Sequence, residues 1–310
     1  MFSLLSSSFL RPTQSSPDAV SSLSLRFATI AELRAGLDSG QFTCKQLVEA
    51  YNSRVNQVNN KLRPVSQLSD NAVSTAQTLD AELANKAEPR RPLHGIPILI
   101  KDIISTTDDM TSSSGCTGLL DAKPRLEATV VRKLRDAGAV ILGKTTASQW
   151  ANFRSPDTVP SGWSATTGQC FGAFHDGQTP SGSSSGSAVA MSLGLAAVSL
   201  GTETHGSIIN PASRAAVVGF KPTVGVVSRH GVYPDTVGVM AISVLDAATV
   251  LNVIAGQDEH DPFTIKDPRD EYDMVWPQDY TEACASNDLR GLRIGVSLRK
   301  IPTFEGRAVY

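Results

Sequence analysis

Two serine- and glycine-rich segments, residues 181–187 and 201–208, carry residue types that could do chemistry. The first contains Ser183 and Ser184, and the second contains Ser207. A serine hydroxyl is a weak nucleophile at neutral pH and needs a base within hydrogen-bond reach. Such segments bury little apolar surface, and their glycines cost backbone entropy. A flexible loop explains either segment alone, so a catalytic interpretation depends on finding the base.

The best candidate for that base is a lysine. The chain has five histidines, and none has a spacing that identifies it as the partner of Ser207. Lys101 ends the apolar run LHGIPILIKD, residues 93–102. Burial lowers the pKa of a lysine until its neutral amine accepts a proton. We therefore expect Lys101 at the carboxyl end of a buried strand, where sites of α/β proteins form.

Two other functions fit the first serine-glycine segment less well. The letters GSSSG match the G-x-S-x-G turn of α/β-hydrolases with Ser184 as nucleophile, but that turn follows a strand, and residues 175–182 are a poor strand. A glycine-rich loop before a helix can also bind phosphate. No Gly-Lys-Ser or Gly-Lys-Thr follows here, so the sequence does not support a phosphate-binding loop.

Helices and buried strands alternate along the chain and predict the elements that position these loops. Three helices are expected first: a short one capped by Thr29, one at 43–59 and one at 69–86. Further on, 127–145 and 187–203 each predict a helix followed by a buried strand, and the runs at 93–102 and 215–223 add two more strands. This alternation predicts an α/β fold with a largely parallel or mixed sheet.

The two ends of the chain have weaker patterns. Residues 1–26 are serine-rich, and they suit a disordered terminus or a targeting segment. Residues 256–280 are acidic and rich in proline, which predicts a surface loop, and 289–299 resemble one more strand. The expected globular domain therefore covers residues 27–310.

Composition excludes several classes of protein. A formal net charge of −2 gives no electrostatic reason to expect nucleic acid as a partner. No apolar run of membrane-spanning length occurs. The four cysteines are scattered, so neither a zinc site nor a disulfide framework is indicated, and a reducing compartment, the cytoplasm, is the expectation. The sequence predicts no metal and leaves the oligomeric state open.

Three segments together resemble the amidase signature family, in its peptide-amidase-like branch. They are GIPILIKD, the cluster GSSSGS at 182–187, and GTETHGSI followed by VVGFKPT. The resemblance covers roughly residues 27–300, and AGAVILGKTTASQWANFRS at 137–155 matches as well. It implies an amidase-signature fold, a mixed and mostly parallel sheet flanked by helices, and hydrolysis of linear amides without a cofactor.

The resemblance also implies the role of each site residue. Ser207 is the nucleophile, Ser183 is the bridging serine after a cis peptide bond, and Lys101 is the base. Gly182 and Ser184 support them, with Ser184 hydrogen-bonded to Lys101. The oxyanion hole consists of the backbone N–H groups of Thr204, His205, Gly206 and Ser207.

This chain departs from the family pattern at several places. His205 stands where relatives have glycine or aspartate, and the segment before Asp235 is shorter. The family domain also continues beyond the equivalent of residue 310. Three functions therefore stay open: a serine-type amidase acting on a small-molecule or peptide amide, a catalytically impaired relative serving as a binding or scaffold protein, and an amidotransferase subunit.

Overall fold

The protein has an α/β architecture in which helices pack against a six-stranded sheet. The computed structural model describes residues 24–85, 90–153, 159–232, 235–266, 279–285, 288, 290, 291 and 293. The strands in chain order are β1 (Val65–Leu68), β2 (Pro97–Lys101), β3 (Val140–Thr145), β4 (Trp163–Ser164), β5 (Gly168–Gln169), β6 (Val198–Glu203), β7 (Val218–Phe220) and β8 (Thr236–Ala241).

The sheet is mixed, and most of its strands point in one direction. Its order is β1-β3-β2-β6-β8-β7, and β4 pairs with β5 in a separate ribbon. Strand β2 runs parallel to both β3 and β6, whereas β1 is antiparallel to β3. Strand β8 is antiparallel to both β6 and β7, so β7 runs in the direction of β6. Four of the six strands thus share a direction, which confirms the α/β class and the mixed, mostly parallel sheet.

Helices begin close to the residues that the sequence indicates. Thr29 and Thr43 each accept a hydrogen bond from the backbone N–H three residues later, and the side chains of Glu32 and Gln46 accept one from the backbone N–H of their cap residue. Most of helix α5 is buried, and it packs against β6, β2 and β3. The helices are α1 (Ile30–Asp38), α2 (Cys44–Leu62), α3 (Ala72–Ala84), α4 (Thr129–Asp136), α5 (Ser185–Leu193), α6 (Ile209–Arg214), α7 (Val244–Ile254) and α8 (Pro262–Ile265).

Several elements were not predicted from the sequence, among them β1, β8 and α7. Strand β1 has one buried residue in four, so it lacks the apolar run that marked the other strands. Strand β8 is wholly buried, although its sequence TVGVMA contains a glycine. Helix α7 follows β8 directly and begins at the cap Ser243, which accepts a hydrogen bond from Asp246 N. Pairing with neighbours decides β1 and β8, because β8 lies between β6 and β7.

The structure tests only part of what was predicted for the two ends of the chain. The expected loop at 256–280 is wrong in part, because Pro262–Ile265 forms α8 and Thr264 is buried. The segment 1–26 lies outside the described residues except for its last three positions, and the predicted strand at 289–299 lies almost entirely outside them. Within the described part of the chain, no helix combines the length and hydropathy needed to cross a bilayer.

Candidate active site

Lys101 is the last residue of β2, and its side chain is completely buried. Its amine nitrogen lies 2.7 Å from Ser183 Oγ and 2.8 Å from Thr202 Oγ1. A third contact, 3.3 Å long, joins it to the carbonyl oxygen of Thr202. Strands β2 and β6 are parallel neighbours, and this pairing brings Thr202 beside the end of β2. The structure therefore joins the predicted base to the predicted bridging serine.

Burial lowers the pKa of Lys101 to about 8. Removal from water disfavours the ammonium form, and the carboxylates of Asp235, Asp102 and Glu203 partly counteract this by favouring it. An amine with this pKa is partly neutral in mildly alkaline solution, and the neutral form can accept a proton. The environment of Lys101 thus suits a general base.

Ser183 lies in the turn that leads into α5. The peptide bond between Gly182 and Ser183 is cis, as the resemblance implies. A side chain at position 182 would collide with the hydroxyl of Ser148, so only glycine fits there. Ser183 is fully buried, and its carbonyl oxygen accepts a hydrogen bond from Ser148 N at 3.0 Å. The turn is therefore held from the β3 side of the sheet as well as by Lys101.

Ser184 supports the site through Thr202, and the expected hydrogen bond to Lys101 is wrong. Its hydroxyl donates to the carbonyl oxygen of Thr202 at 3.0 Å and accepts from Thr202 N at 3.1 Å. These bonds attach the start of α5 to β6. Gly201 makes room for them, because a side chain there would press on Ser184. Ser184 thus aligns the strand that in turn contacts Lys101.

Ser207 lies directly beside the cis turn. Its carbonyl oxygen accepts a hydrogen bond from Ser184 N at 3.1 Å, so the two serine-glycine segments are in contact. The residue is 8% exposed, and its hydroxyl has no hydrogen-bond partner within the described part of the chain. Helix α5 and strand β6 connect the two segments and return the chain to the same end of the sheet. Ser207 is therefore close to Ser183 and reachable from solvent.

In the loop after β6, three of the four N–H groups expected to form an oxyanion hole are unpaired among the residues that the structure describes. These three belong to Thr204, His205 and Ser207. Gly206 is different, because its N–H donates to Glu203 Oε1 at 2.7 Å. An N–H already bonded to a carboxylate is not available to an oxyanion. The expectation that Gly206 contributes such a donor is therefore wrong, and its N–H instead holds the loop to Glu203. The side chain of His205 is exposed.

Glu203 organises this loop. Its second oxygen accepts from Ile208 N at 2.7 Å and from Ile209 N at 3.0 Å. Burial tends to raise the pKa of Glu203, but the three backbone N–H groups outweigh it, and the net pKa lies below the ordinary value. Gly206 adopts φ +78°, a backbone conformation that favours glycine. One carboxylate thus holds the turn that presents Ser207.

Asp235 is a site residue that the sequence analysis missed. It immediately precedes β8, is 3% exposed, and accepts from Thr202 Oγ1 at 2.7 Å with one oxygen. Its other oxygen accepts a hydrogen bond from Thr204 Oγ1. A sequence signal existed, because Thr202 at the end of β6 and Thr204 just after it are two residues apart and so share a face of the extended segment. Finding their partner required the pairing of β6 with β8.

A second buried lysine lies on the neighbouring strand but is separate from the site. Lys144 of β3 pairs with Ile100, so its side chain is on the face of the sheet opposite to that of Lys101. It donates to Ile104 O and, at 2.9 Å, to Ser112 Oγ. Burial lowers its pKa to about 8 as well, against the effect of Asp102, Asp108 and Glu127. The structure therefore contains two buried amines with different surroundings.

Metal-binding and disulfide chemistry have no visible basis in the described residues. No group of three or more His, Cys, Asp or Glu side chains there could hold a metal ion. All four cysteines are free thiols.

The chain is similar to known amidases in both sequence and structure. The family model described as Amidase matches residues 46–305. The chain is 46% identical to the peptide amidase of Stenotrophomonas maltophilia, with a TM-score of 0.75, over 78% of this chain and 50% of that one. A peptide amidase in complex with the competitive inhibitor chymostatin matches with the same identity, TM-score and coverage.

Two curated relatives extend the comparison. A probable amidase of Arabidopsis thaliana is 39% identical over 90% of this chain and 55% of its own length. A glutamyl-tRNA(Gln) amidotransferase subunit of Chloroflexus aggregans is 36% identical over 88% of this chain and 54% of its own length. The chain spans about half the length of the curated relatives it matches.

Proposed function

Because this chain belongs to the amidase family, we propose that it hydrolyses linear carboxylic amides, with Ser207 as nucleophile, Ser183 as proton carrier and Lys101 as base. The observation that carries the proposal is the 2.7 Å contact between Lys101 Nζ and Ser183 Oγ in a fully buried setting. The hydrogen bond from Ser184 N to the carbonyl oxygen of Ser207 holds the segment of the proposed nucleophile beside this pair. An active-site serine needs such a base, and no histidine is needed to provide it.

In the proposed first half-reaction, Ser207 Oγ attacks the carbonyl carbon of the amide. Its proton passes to Ser183 Oγ, while the proton of Ser183 passes to the lone pair of Lys101 Nζ. The carbonyl oxygen becomes an oxyanion beside the N–H groups of Thr204, His205 and Ser207. Each such donor in a hydrolase is typically worth about 3 kcal/mol of transition-state stabilisation.

Collapse of the tetrahedral intermediate then breaks the C–N bond and completes the first half-reaction. The Lys101 ammonium returns a proton through Ser183 to the leaving nitrogen, which departs as ammonia or an amine. Water then attacks the acyl ester on Ser207 and gives a proton to Lys101 by the same route. Collapse of that intermediate releases the carboxylic acid and returns the proton to Ser207. Every proton is accounted for within the three side chains, so the cycle needs no cofactor.

A peptide amide is the substrate class we propose to examine first. The solved relative with 46% identity is a peptide amidase, and a complex with a competitive inhibitor matches equally well. Thr204 and His205, in the loop that leads to Ser207, are exposed, which suits access of a substrate to this side of the site.

An amidotransferase subunit is the second candidate function. The observation that favours it is the 36% identity to the glutamyl-tRNA(Gln) amidotransferase subunit of Chloroflexus aggregans. Such a protein would use the same three side chains but would depend on a partner chain. A catalytically impaired binding or scaffold protein is the remaining alternative, and it would keep the fold without a reactive serine.

The direct test is labelling with a fluorophosphonate, followed by mass spectrometry of the labelled peptide. We expect the purified chain to be labelled at Ser207 and to release ammonia from a peptide amide. Ser207→Ala should abolish both, because it removes the attacking oxygen. Ser74→Ala, on the exposed surface of α3, should change neither.

The outcomes separate the three functions. A folded chain that is not labelled supports the scaffold alternative and contradicts the proposal. A chain that is labelled but releases ammonia only in a complex with another protein supports the amidotransferase alternative. Hydrolysis by a monomer on size-exclusion chromatography excludes a required partner.

A further inference from the structure

Asp235 occupies a position that connects the base to the loop of the nucleophile. Its carboxylate is buried, and each oxygen accepts a hydrogen bond from one threonine hydroxyl of the neighbouring strand and its extension, Thr202 and Thr204. Residue 203 pairs with residue 236, so residue 204 lies opposite Asp235, and residue 202 is its diagonal neighbour. The register of β6 and β8 therefore makes both contacts possible.

The hydrogen bond to Asp235 determines what Thr202 can offer to Lys101. A hydroxyl has one hydrogen, and Thr202 gives it to Asp235 Oδ2 at 2.7 Å. Toward Lys101 Nζ, 2.8 Å away, Thr202 Oγ1 can therefore only accept. The carbonyl oxygen of Thr202, 3.3 Å from the same nitrogen, is also an acceptor. Lys101 thus faces two acceptors on Thr202.

These two acceptors decide where the lone pair of the neutral amine points. A neutral lysine has two N–H donors and one lone pair. If the two N–H groups are donated to the oxygens of Thr202, the lone pair is left for the third neighbour, Ser183 Oγ at 2.7 Å. That is the direction in which the proton of Ser183 must move in the proposed reaction.

We propose that Asp235 is a positioning residue that, through the hydroxyl of Thr202, directs the lone pair of Lys101 toward Ser183. The inference rests on the proposed function and adds a fourth side chain to it. Asp235 touches neither the substrate nor the reacting atoms. It also holds Thr204, whose N–H is one of the free donors near Ser207, so one carboxylate orients both the base and part of the loop.

Charges around Lys101 give Asp235 a second, electrostatic effect. The ionisable groups that face Lys101 are Asp102 at the end of its own strand, Glu203 on β6, and Asp235 before β8. Helix α5 contributes no ionisable side chain, and Lys144 is on the opposite face of the sheet. Removing the charge of Asp235 removes the largest of the three attractions, so the pKa of Lys101 should fall below about 8.

The test compares Asp235→Asn with Asp258→Asn in the full-length chain. Asp258 is also a buried loop aspartate, bonded to Ser228, but it is not among the charges acting on Lys101. The first measurement is the titration of Lys101 by the ¹³Cε chemical shift in protein labelled with ¹³C-lysine, with the signal assigned through Lys101→Arg. The second is the rate of fluorophosphonate labelling as a function of pH.

We expect Asp235→Asn to lower the titration midpoint of Lys101 by about one pH unit or more, since a nearby opposite charge typically shifts a pKa by about one to three units. The acid limb of the labelling profile should move by the same amount, and the plateau rate should fall at least tenfold. Asp258→Asn should leave both curves at their wild-type positions. Unchanged curves in Asp235→Asn, or equal changes in both variants, would overturn the proposal.

A second pair of variants keeps the test decisive if Asp235→Asn does not fold. Thr202→Val removes the hydroxyl that links Asp235 to Lys101, and Thr202→Ser retains it. We expect the plateau labelling rate to fall at least tenfold in the first and to recover in the second. Equal rates in the two variants would refute the link. If wild-type protein is not labelled at any pH, the proposed function fails, and the NMR midpoint alone then decides the role of Asp235.

Discussion

The two buried lysines on opposite faces of the sheet have nearly the same burial and different neighbours. Lys101 and Lys144 are both inaccessible to solvent, and burial lowers the pKa of each to about 8. Lys101 contacts a buried serine next to a second serine that reaches solvent. Lys144 contacts the carbonyl oxygen of Ile104 and the hydroxyl of Ser112, which belong to the loop after β2.

The difference shows that a lowered pKa alone does not identify a catalytic base. Lys144 has a pKa as low as that of Lys101, but it stabilises the loop after β2. Its hydrogen-bond partners in the described part of the chain include no proposed nucleophile. Lys101 gains its proposed role from its contact with Ser183, whose segment is hydrogen-bonded through the backbone to the segment that carries Ser207. Perturbed lysines are candidates for function, and the partner of the amine decides between catalysis and structure.

Replacing the two lysines in turn should give the largest contrast. Lys101→Met should reduce fluorophosphonate labelling of Ser207 by roughly ten-thousandfold or more, as removal of a catalytic triad member does in serine hydrolases. Lys144→Met should keep the labelling rate within about threefold, because its partners lie on the other face. Methionine keeps the length of the side chain in both variants.

Two results would break this comparison. One is a Lys101→Met protein that reacts at the wild-type rate. The other is a folded Lys144→Met protein as unreactive as Lys101→Met. Circular dichroism on each sample establishes that the protein is folded before its rate is interpreted.

Replacing one hydroxyl partner of each lysine should give a smaller contrast. Ser183→Ala removes the group that carries the proton and should slow labelling about a hundredfold or more. Ser112→Ala removes a partner of Lys144 and should lower the free energy of unfolding by about 1 kcal/mol, while labelling is unchanged. Denaturant unfolding measures the second effect, and a slow Ser112→Ala enzyme of normal stability would contradict the assignment of Ser112 to a structural role.

The pH dependence of stability should give the most specific signal. The folded-state pKa of Lys144 is about 8, below the value near 10.4 of an unfolded lysine, so the unfolded state binds more protons between these values. Stability contributed by Lys144 therefore rises as pH increases from about 8 to about 10. The unfolding free energy of wild type should gain up to about 3 kcal/mol relative to Lys144→Met over this window.

Because the result is a difference between two proteins, other groups that titrate in the same range cancel. A difference that is flat with pH would show that Lys144 has an ordinary pKa in the folded protein, and one that falls would show a raised pKa; either would contradict the prediction. The same experiment with Lys144→Arg is the matched control, since arginine keeps its charge throughout the window.

Much of the fold was predictable because local patterns agree with the tertiary structure. The caps Thr29 and Thr43 precede α1 and α2, and the apolar runs became β2, β3 and β6. Strand β8 and helix α7 were not predicted. Strand β8 is held between two neighbours, and such pairing is invisible in a short segment that contains glycine.

The proximity of the proposed site residues was predictable, and the contacts that support them were not. Lys101, Ser183 and Ser207 were identified from two loops and one strand, and the structure brings their segments together. The partner of Ser184 was wrong, and the N–H of Gly206 proved to be bonded to Glu203. In both cases the deciding contact depends on which backbone groups remain unpaired after the chain has folded.

The sequence by itself determined the order of helices and strands, the lysine at the end of an apolar strand, and the two small-residue loops around one helix. These features depend on local periodicity and on residue type. Only the tertiary structure decided that Thr202 contacts Lys101, that Asp235 is hydrogen-bonded to Thr202, and that Lys144 lies on the other face of the sheet. The reason is geometric: strand order and register decide which side chains meet across β2, β6 and β8, and these residues are far apart in the chain.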